Sequence, residues 1–374
     1  MSELSIRLGI QQRVLPDYRA VFFETLGQHA PRGLAVFGGK PLPQEGIKPL
    51  SELRGVQLFW GKNFHLYNPN HPLFLCWQKD LSSWLNCWRP QALIVEANPR
   101  LLSNRKAIQK VHKRGGIVLG WGLGAPVLEG AFSQLRRRER LAYLNNLDGI
   151  IAYSQRGADQ YCGLGIPKER VFVAVNAALP KPSAPPYHRP LPVTNQFQVL
   201  FVGRLQQRKR VDLLIRACAA LPKEMKPLLM IVGDGPARQD LERIALEIFP
   251  STLFLGDQRG EALDQTFKQA DLFVLPGSGG LAVQQAMAYA LPVIVAEGDG
   301  TQEDLVNSKN GWVIPSDDLN ALQNALHQAL SDIRRLRQMG LESYRIVAEE
   351  VNVENMAETF IAAIEKIKIL TGII

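Results

Sequence analysis

A chain of 374 residues, 46% of them hydrophobic, is long enough to bury two cores, which predicts two domains and excludes a small stapled scaffold. The formal charge of +8 is unevenly spread: residues 1–180 carry 23 Lys and Arg against 12 Asp and Glu, whereas residues 181–374 carry 20 against 23. The basic first half fits an anionic membrane surface or a phosphate-bearing substrate, and no nucleic acid is expected because no nucleic-acid module or interleaved aromatic and basic surface is present. The longest apolar runs, at 149–152 and 291–296, fall short of a bilayer span, and the N-terminus lacks a charged-then-apolar signal pattern. The expectation is a soluble, cytoplasmic protein able to dock at the inner face of a membrane. Cys76, Cys87, Cys162 and Cys218 are expected to be buried free thiols, and the six histidines have no ligand spacing, so no metal site is expected.

Short apolar runs alternate with amphipathic segments, the pattern of parallel α/β sheets. Strands are predicted near 5–10, 33–37, 92–95, 116–120, 149–152 and 171–174. The first strand exit, QQRVLPDYRAVFFETL at 11–26, places Arg13, Asp17, Tyr18 and Arg19 ahead of a helix bearing Val21, Phe22 and Leu26. Asp17 or Arg19 could position a hydroxyl or phosphate, and a salt-bridged helix start is the plainer alternative. Glu96 and Asn98, after the third strand, have the same standing. Basic clusters occur at Arg105, Lys106, Lys110, Lys113 and Arg114 and at Arg136, Arg137, Arg138 and Arg140, with Trp77, Trp84 and Trp88 nearby. They are either solvated helix faces or a contact with anionic lipid. Prolines at 180, 182, 185, 186, 190 and 192 exclude a sheet and mark an interdomain linker at 181–196.

A second set of strands is predicted near 198–202, 228–232, 253–255, 272–275, 292–295 and 311–314. Five of their exits carry glycine: Gly203, Gly233 with Gly235, Gly256, Gly277 with Gly279 and Gly280, and Gly298 with Gly300. In an open parallel sheet these line one ligand-facing rim. In FVGRLQQRKRVDLLIRA, at 201–217, the helical stripe Val211, Leu214, Ile215 and Cys218 leaves Arg204 and Lys209 in the loop. Two such cations suit a diphosphate, or form a solvated basic turn. In LPGSGGLAVQQAMAYALPVIV, at 275–295, the stripe Val283, Ala286, Met287 and Ala290 starts a helix just after Gly279 and Gly280. Free amides and the helix dipole favour an anion there, or the glycines serve close packing of helix on sheet. Gln285 lies off the stripe, within reach of a sugar or ribose hydroxyl. Near the C-terminus Met356, Phe360, Ala363, Ile364 and Ile367 form one helical face that must pack on something.

The ordered strings GRL-x3-K at 203–209, VGDGP at 232–236, ADLFVLP at 270–276, AMAYALPVIV at 286–295 and NGW at 310–312 resemble the donor domain of retaining glycosyltransferases of family 4. The resemblance covers roughly 197–320 and extends weakly into the first half through AYSQRGADQY and IPKERVFVAVNAAL. It implies an α/β protein of GT-B fold, two Rossmann-like doubly wound domains with an interdomain cleft. An acceptor-binding domain at 1–180, completed by a C-terminal helix at 351–374, would precede a donor-binding domain at 197–350. The implied activity is that of a retaining, metal-independent hexosyltransferase using a UDP- or GDP-sugar and a glycan or lipid-linked acceptor, in polysaccharide or glycolipid biosynthesis. By the resemblance Arg204 and Lys209 would clamp the diphosphate and stabilise the departing charge. Gly203, Gly235, Gly277, Gly279, Gly280, Leu281 and Gln285 would meet the donor, and Asp17, Tyr18, Arg19 and Leu123 the acceptor. The chain departs from the family where two glutamates eight positions apart correspond to Gly277 and Gln285, and where a histidine after the strand in GWGLGAP, 120–126, corresponds to Leu123. These departures leave open a non-catalytic nucleotide-sugar-binding or scaffolding protein.

Overall fold

The computed structural model describes residues 3–69, 71–130, 132–190 and 196–372; Pro192, in the proline-rich segment, lies outside the described residues. The chain divides into two compact units, Met1–Pro180 with Val353–Ile374, and Lys181–Asn352. Unit 1 contains strands β1 (Leu8–Val14), β2 (Leu34–Gly39), β3 (Gln57–Gly61), β4 (Asn63–Leu66), β5 (Leu75–Gln78), β6 (Ala92–Glu96), β7 (Ile117–Gly122), β8 (Gly149–Ala152) and β9 (Val171–Val173). Its helices are α1 (Ala20–Gln28), α2 (Leu81–Trp88), α3 (Ser103–His112), α4 (Ser133–Leu144) and α5 (Gln155–Leu164), joined by the C-terminal helix Val353–Thr371. Seven strands form a parallel sheet in the order β3-β2-β1-β6-β7-β8-β9, and β4 pairs antiparallel with β5.

The central strands read as continuous apolar runs because helices cover both faces of the sheet; β2 and β8 are buried at every residue. Strands β3, β4 and β5 escaped the sequence reading. They lie at the sheet edge or in the hairpin, β3 half-exposed or exposed at every residue and β4 and β5 alternating between more and less exposed positions, so no unbroken apolar run announces them. The C-terminal helix buries Met356, Phe360, Ala363, Ile364 and Ile367. Phe360 stands 4.9 Å from Phe22 of α1 and 5.0 Å from Trp121 of β7, ring centre to ring centre, and Phe22 lies 5.5 Å from Trp121. These edge-on contacts fix the indole at the carboxyl end of β7.

Unit 2 contains β10 (Gln198–Val202), β11 (Leu228–Val232), β12 (Thr252–Gly256), β13 (Leu272–Leu275), β14 (Val293–Ala296) and β15 (Gly311–Ile314). Its helices are α6 (Val211–Ala219), α7 (Arg238–Ile248), α8 (Glu261–Gln269), α9 (Leu281–Ala288), α10 (Leu319–Ser331) and α11 (Ile333–Glu349). All six strands are parallel, in the order β12-β11-β10-β13-β14-β15. The proline-rich segment is anchored to this unit through Arg189. Its guanidinium donates to the carbonyls of Phe267 at 2.8 Å, Ala270 at 2.5 Å and Tyr289 at 3.2 Å, the C-terminal ends of α8 and α9. Helix ends expose unpaired carbonyls, and a cation there is favoured by the dipole.

The cysteines require a correction: Cys76 and Cys218 are buried, but Cys87 is exposed and Cys162 half-exposed. Cys87 sits on α2, a surface helix whose buried residues are Leu81, Trp84 and Leu85, so a thiol off that stripe meets solvent. Phe360→Ala should lower the stability of unit 1 by about 3–5 kcal/mol, the usual cost of removing a fully buried aromatic ring. Urea unfolding followed by tryptophan fluorescence measures it, and an unchanged midpoint would refute the support given to Trp121.

Candidate functional site

In an open parallel sheet, connections run in opposite directions from the two strands where the order reverses, which opens a crevice at their carboxyl ends. In unit 2 that point lies between β10 and β13, paired through Val199 with Leu272 and Leu200 with Phe273. The β10 exit carries Gly203, Arg204 and Lys209, and the β13 exit carries residues 277–281. The two exits interlock. Lys209 Nζ donates to the Ser278 carbonyl at 2.6 Å, the Arg208 guanidinium to the Ser278 hydroxyl at 3.0 Å, and the Ser278 amide to the Arg208 carbonyl at 3.2 Å. Gly277 is buried at this crossing, where a Cβ would stand 2.3 Å from the Arg208 carbonyl oxygen. Gly279 adopts φ +128°, and its Cβ would fall 2.3 Å from Lys209 Nζ.

A third exit braces the turn. Gln302, fully buried beyond β14, donates from Nε2 to the carbonyls of Gly277 and Ala296, each at 2.9 Å, and accepts from the Gly279 amide at 3.4 Å. Helix α9 begins at Leu281 with no side-chain cap from Gly280, so its first-turn amides and dipole open beside the Lys209 ammonium. Burial pulls the pKa of Lys209 down to about 8; the charge of Arg208 pushes the same way and Asp299 opposes it. This is a half-buried cation, hydrogen-bonded to a carbonyl, at a helix N-terminus, an arrangement that attracts phosphate.

In unit 1 the strand order reverses between β1 and β6, and a cavity of about 620 Å³ opens at that point. It is lined from the β1 exit by Gln12, Tyr18 and Arg19, from β6 by Glu96 and Arg100, and from β7 by Trp121 and Leu123. Arg19 is 3% exposed, with its guanidinium carbon 4.4 Å from the Trp121 ring centre, 5.2 Å from that of Tyr153 and 5.4 Å from that of Tyr18. Glu96 accepts the Arg13 amide, and burial pushes its carboxyl above the usual range despite that bond and the Arg13 charge. Asp17 does not line the cavity; it pairs with Lys48 at 3.3 Å on the surface. A neighbouring apolar cavity of about 580 Å³, lined by Leu66, Leu73, Leu102, Leu128 and Leu135, shares Arg100, Arg140 and Leu128 with the first.

Residues 187–345 match the family described as Glycosyl transferases group 1. The match lies within unit 2 and spans it apart from the first residues after Pro180 and the last before Asn352. The chain is 31% identical over 175 residues to an uncharacterized glycosyltransferase of Methanocaldococcus jannaschii, covering 42% of this chain and 45% of the relative. It is also 31% identical over 156 residues to a GDP-mannose-dependent alpha-(1-6)-phosphatidylinositol monomannoside mannosyltransferase of Mycolicibacterium smegmatis, covering 38% and 41%. Each match spans less than half of the relative's own length. Over 97% of this chain and 99% of the other, the backbone is similar to sucrose-phosphate synthase from Thermosynechococcus elongatus, with a TM-score of 0.74 at 19% identity. The fold is GT-B, with two Rossmann-like domains.

Within the matched segment, Lys209, Gly277, Gly279 and Gly280 come together, with Leu281 starting α9. Arg204 is exposed just past Gly203, and Gln285 is half-buried beside Gln284, which is fully buried and donates to the Val351 carbonyl at 2.7 Å. Gly235 packs against the β10 exit, its Cβ position 2.3 Å from the Leu205 carbonyl oxygen. Sequence reasoning missed Ser278, Asp299 and Gln302; the Gly298 and Gly300 pair was the available signal. In unit 1 it passed over the aromatic setting of Arg19. The three tryptophans offered as a lipid contact need correction. Trp84 is buried against Phe37, ring centres 5.2 Å apart, and Trp88 donates to the Leu8 carbonyl at 2.9 Å, which leaves Trp77 as the exposed one. Lys110 and Arg114 of the first basic cluster tie α3 to α2 by donating to the carbonyls of Ser82 and Leu85.

Among the described residues no group of three or more His, Cys, Asp or Glu is arranged to hold a metal ion, and no helix is long and apolar enough to cross a membrane. Gly279→Ala should cost unit 2 about 1–3 kcal/mol through its positive φ and the displaced ammonium. Gly280→Ala, at φ −118° and 3.2 Å from the Thr301 hydroxyl, should cost less. Equal thermal stabilities for the two variants would contradict the close approach of Lys209.

Proposed function

We propose that the protein is a retaining glycosyltransferase of the family 4 type, transferring a sugar from a UDP- or GDP-sugar to a hydroxyl of a glycan or lipid-linked acceptor. The reading rests on one observation, the Lys209 ammonium bonded to the Ser278 carbonyl beside the α9 N-terminus at the unit 2 switch point. The donor diphosphate would lie across the α9 amides, with Lys209 as a point charge and Arg204 as a forked donor. Gly279, Gly280 and Leu281 would offer backbone, Gly203 and Gly235 would shape the rim, and Gln285 would reach a hydroxyl. As the glycosidic bond to phosphate breaks, charge grows on the diphosphate, where these fixed donors stabilise it. The acceptor hydroxyl attacks from the face the diphosphate leaves, and its proton passes to the departing phosphate oxygen, so no separate protein base is required.

The acceptor is assigned to unit 1, where Tyr18, Arg19 and Leu123 line the cavity. Its neighbouring apolar cavity, rimmed by Arg100, Arg105, Arg136 and Arg140 and flanked by exposed Leu66, Leu73 and Leu135, supports a contact with an anionic membrane and a lipid-linked acceptor. Gly277 supports a second reading: position 277 has no room for a side chain to hold the donor sugar, as a sugar-nucleotide-binding protein without transferase activity would tolerate. Binding of a nucleotide sugar with neither hydrolysis nor transfer, across glycan and lipid acceptors, would favour that alternative.

Lys209→Ala should lower kcat by about 100- to 1,000-fold, the usual cost of removing a donor to a developing oxyanion, and Arg204→Ala should also impair turnover. Near-normal rates in both, with nucleotide sugars screened by thermal shift and products by mass, would sink the clamp. The pH dependence has a definite sign. The protonated amine binds diphosphate, and its pKa in the free protein is about 8, so affinity for UDP or GDP should be flat below pH 7 and fall toward tenfold per unit above about pH 8.5. Calorimetry in buffers of different ionisation enthalpy should detect proton uptake on binding at pH 9 and little at pH 6.5; equal uptake at both rules Lys209 out.

A further inference from the structure

Among the side chains lining the unit 1 cavity, buried polar atoms without a hydrogen-bond partner among the described residues include the acceptor Gln12 Oε1 and the donors Arg19 Nη1 and Trp121 Nε1. They are 5%, 3% and 1% exposed, so water at the surface does not explain them. Buried polar groups are nearly always paired, and a buried charge without a counter-charge is costly. Arg19 has no carboxylate partner among the described residues. Its positive charge is met by the rings of Trp121, Tyr153 and Tyr18. Aromatic faces hold a guanidinium by its plane and leave the N–H edge available for forked bonding to an anion.

The other charges on the cavity wall point the same way. Arg100 and Arg140 line it, and burial raises the pKa of the one carboxyl, Glu96. Arg140 donates to the Pro126 carbonyl at 2.6 Å, so a carbonyl rather than a carboxylate orients it. Three arginines against one carboxyl suit a ligand with more than one negative charge. A phosphomonoester, carrying about −1.5 to −2 near neutral pH, meets that requirement better than a carboxylate.

We propose that this cavity is an anion subsite that seats a phosphomonoester on the acceptor, gripped by Arg19 between its aromatic rings with Arg100 and Arg140 on the wall. The assignment of that phosphate to an acceptor rests on the transferase reading above; the subsite itself does not. The phosphate could belong to a soluble sugar or polyol phosphate or to a lipid headgroup whose chain enters the adjoining apolar cavity.

The test is calorimetric titration of the full chain with glycerol 1-phosphate, octyl phosphate, glycerol and octanol, with UDP and GDP titrated in parallel. Both phosphates should bind, and the neutral alcohols at least tenfold more weakly or not at all. Arg19→Gln should weaken phosphate binding at least tenfold and leave UDP affinity within twofold. Arg140→Gln, on a half-exposed residue that does not support the core, should weaken the phosphates about threefold and serves if Arg19→Gln does not fold. Tighter binding of octyl phosphate than of glycerol 1-phosphate identifies a lipid source, and equal binding a soluble one; both support the subsite. Absence of phosphate binding at 10 mM, or unchanged binding in both variants, overturns it, as does a matching loss of UDP affinity in Arg19→Gln, which would give the arginine to the donor. Failure of both UDP and GDP to bind the wild-type chain would count against the transferase reading and leave the subsite standing.

Discussion

Both halves of this protein depend on a single constraint of parallel sheets. Crossover connections between parallel strands are right-handed, so a sheet whose strands are added first to one side and then to the other must reverse its order once. The reversal sends adjacent loops apart and leaves the carboxyl ends of two central strands uncovered. In unit 2 those strands are β10 and β13, and in unit 1 they are β1 and β6. The residues capable of chemistry collect there because nowhere else on a doubly wound sheet can backbone and side chains from distant parts of the chain surround a ligand. Lys209 and Ser278, 69 positions apart in sequence, become hydrogen-bond partners for this reason alone.

Three cations withdrawn from solvent, two buried and one half-buried, differ in how fully they are paired. Arg189 is saturated by carbonyls at the ends of α8 and α9, and burial lowers its pKa to about 10, with Arg337 contributing; its bonds are complete, and its work is to hold the proline-rich segment on unit 2. Lys209 has the Ser278 carbonyl and the distant help of Asp299, and its proton is held loosely as a result. Arg19 has aromatic faces and an unpaired nitrogen. A cation that only holds the fold together gains by pairing fully, because an unmet charge in a poor solvent is destabilising. Lys209 and Arg19, at the two switch points, are paired less completely than Arg189, whose guanidinium is taken up by helix-end carbonyls.

Much of this was legible in the sequence, for physical reasons that particular elements make clear. Strands such as β8, β13 and β14 are buried on both faces, so they read as short apolar runs ended by glycine or turn residues. The edge strand β3 and the hairpin β4–β5 have one wet face and mixed composition, and they were invisible. The glycines at 277–280 and the cations at 204–209 stood out as two separate loops; their contact through Ser278 depends on the order of strands in the sheet, which no local pattern encodes. Arg19 could be read as a salt-bridged helix start because its neighbour Asp17 is one, paired with Lys48. What sets Arg19 apart comes from Trp121 and Tyr153, more than 100 positions away in the chain.

The position of Gly277 now has a mechanical cause. A side chain there would run into the backbone of Arg208 and Lys209, so a glutamate at 277 and the observed seating of Lys209 are mutually exclusive without movement of the β10 exit. Gln302 takes the Gly277 carbonyl and the Gly279 amide, replacing side-chain anchorage of the turn from within by anchorage from the β14 exit. The turn is therefore held from outside, while the space a side chain at 277 would occupy goes to the loop carrying Lys209. Loss of the glutamate is not by itself decay of the site. Glycine at 277 is the condition under which the ammonium reaches Ser278 with the β10 exit where it stands.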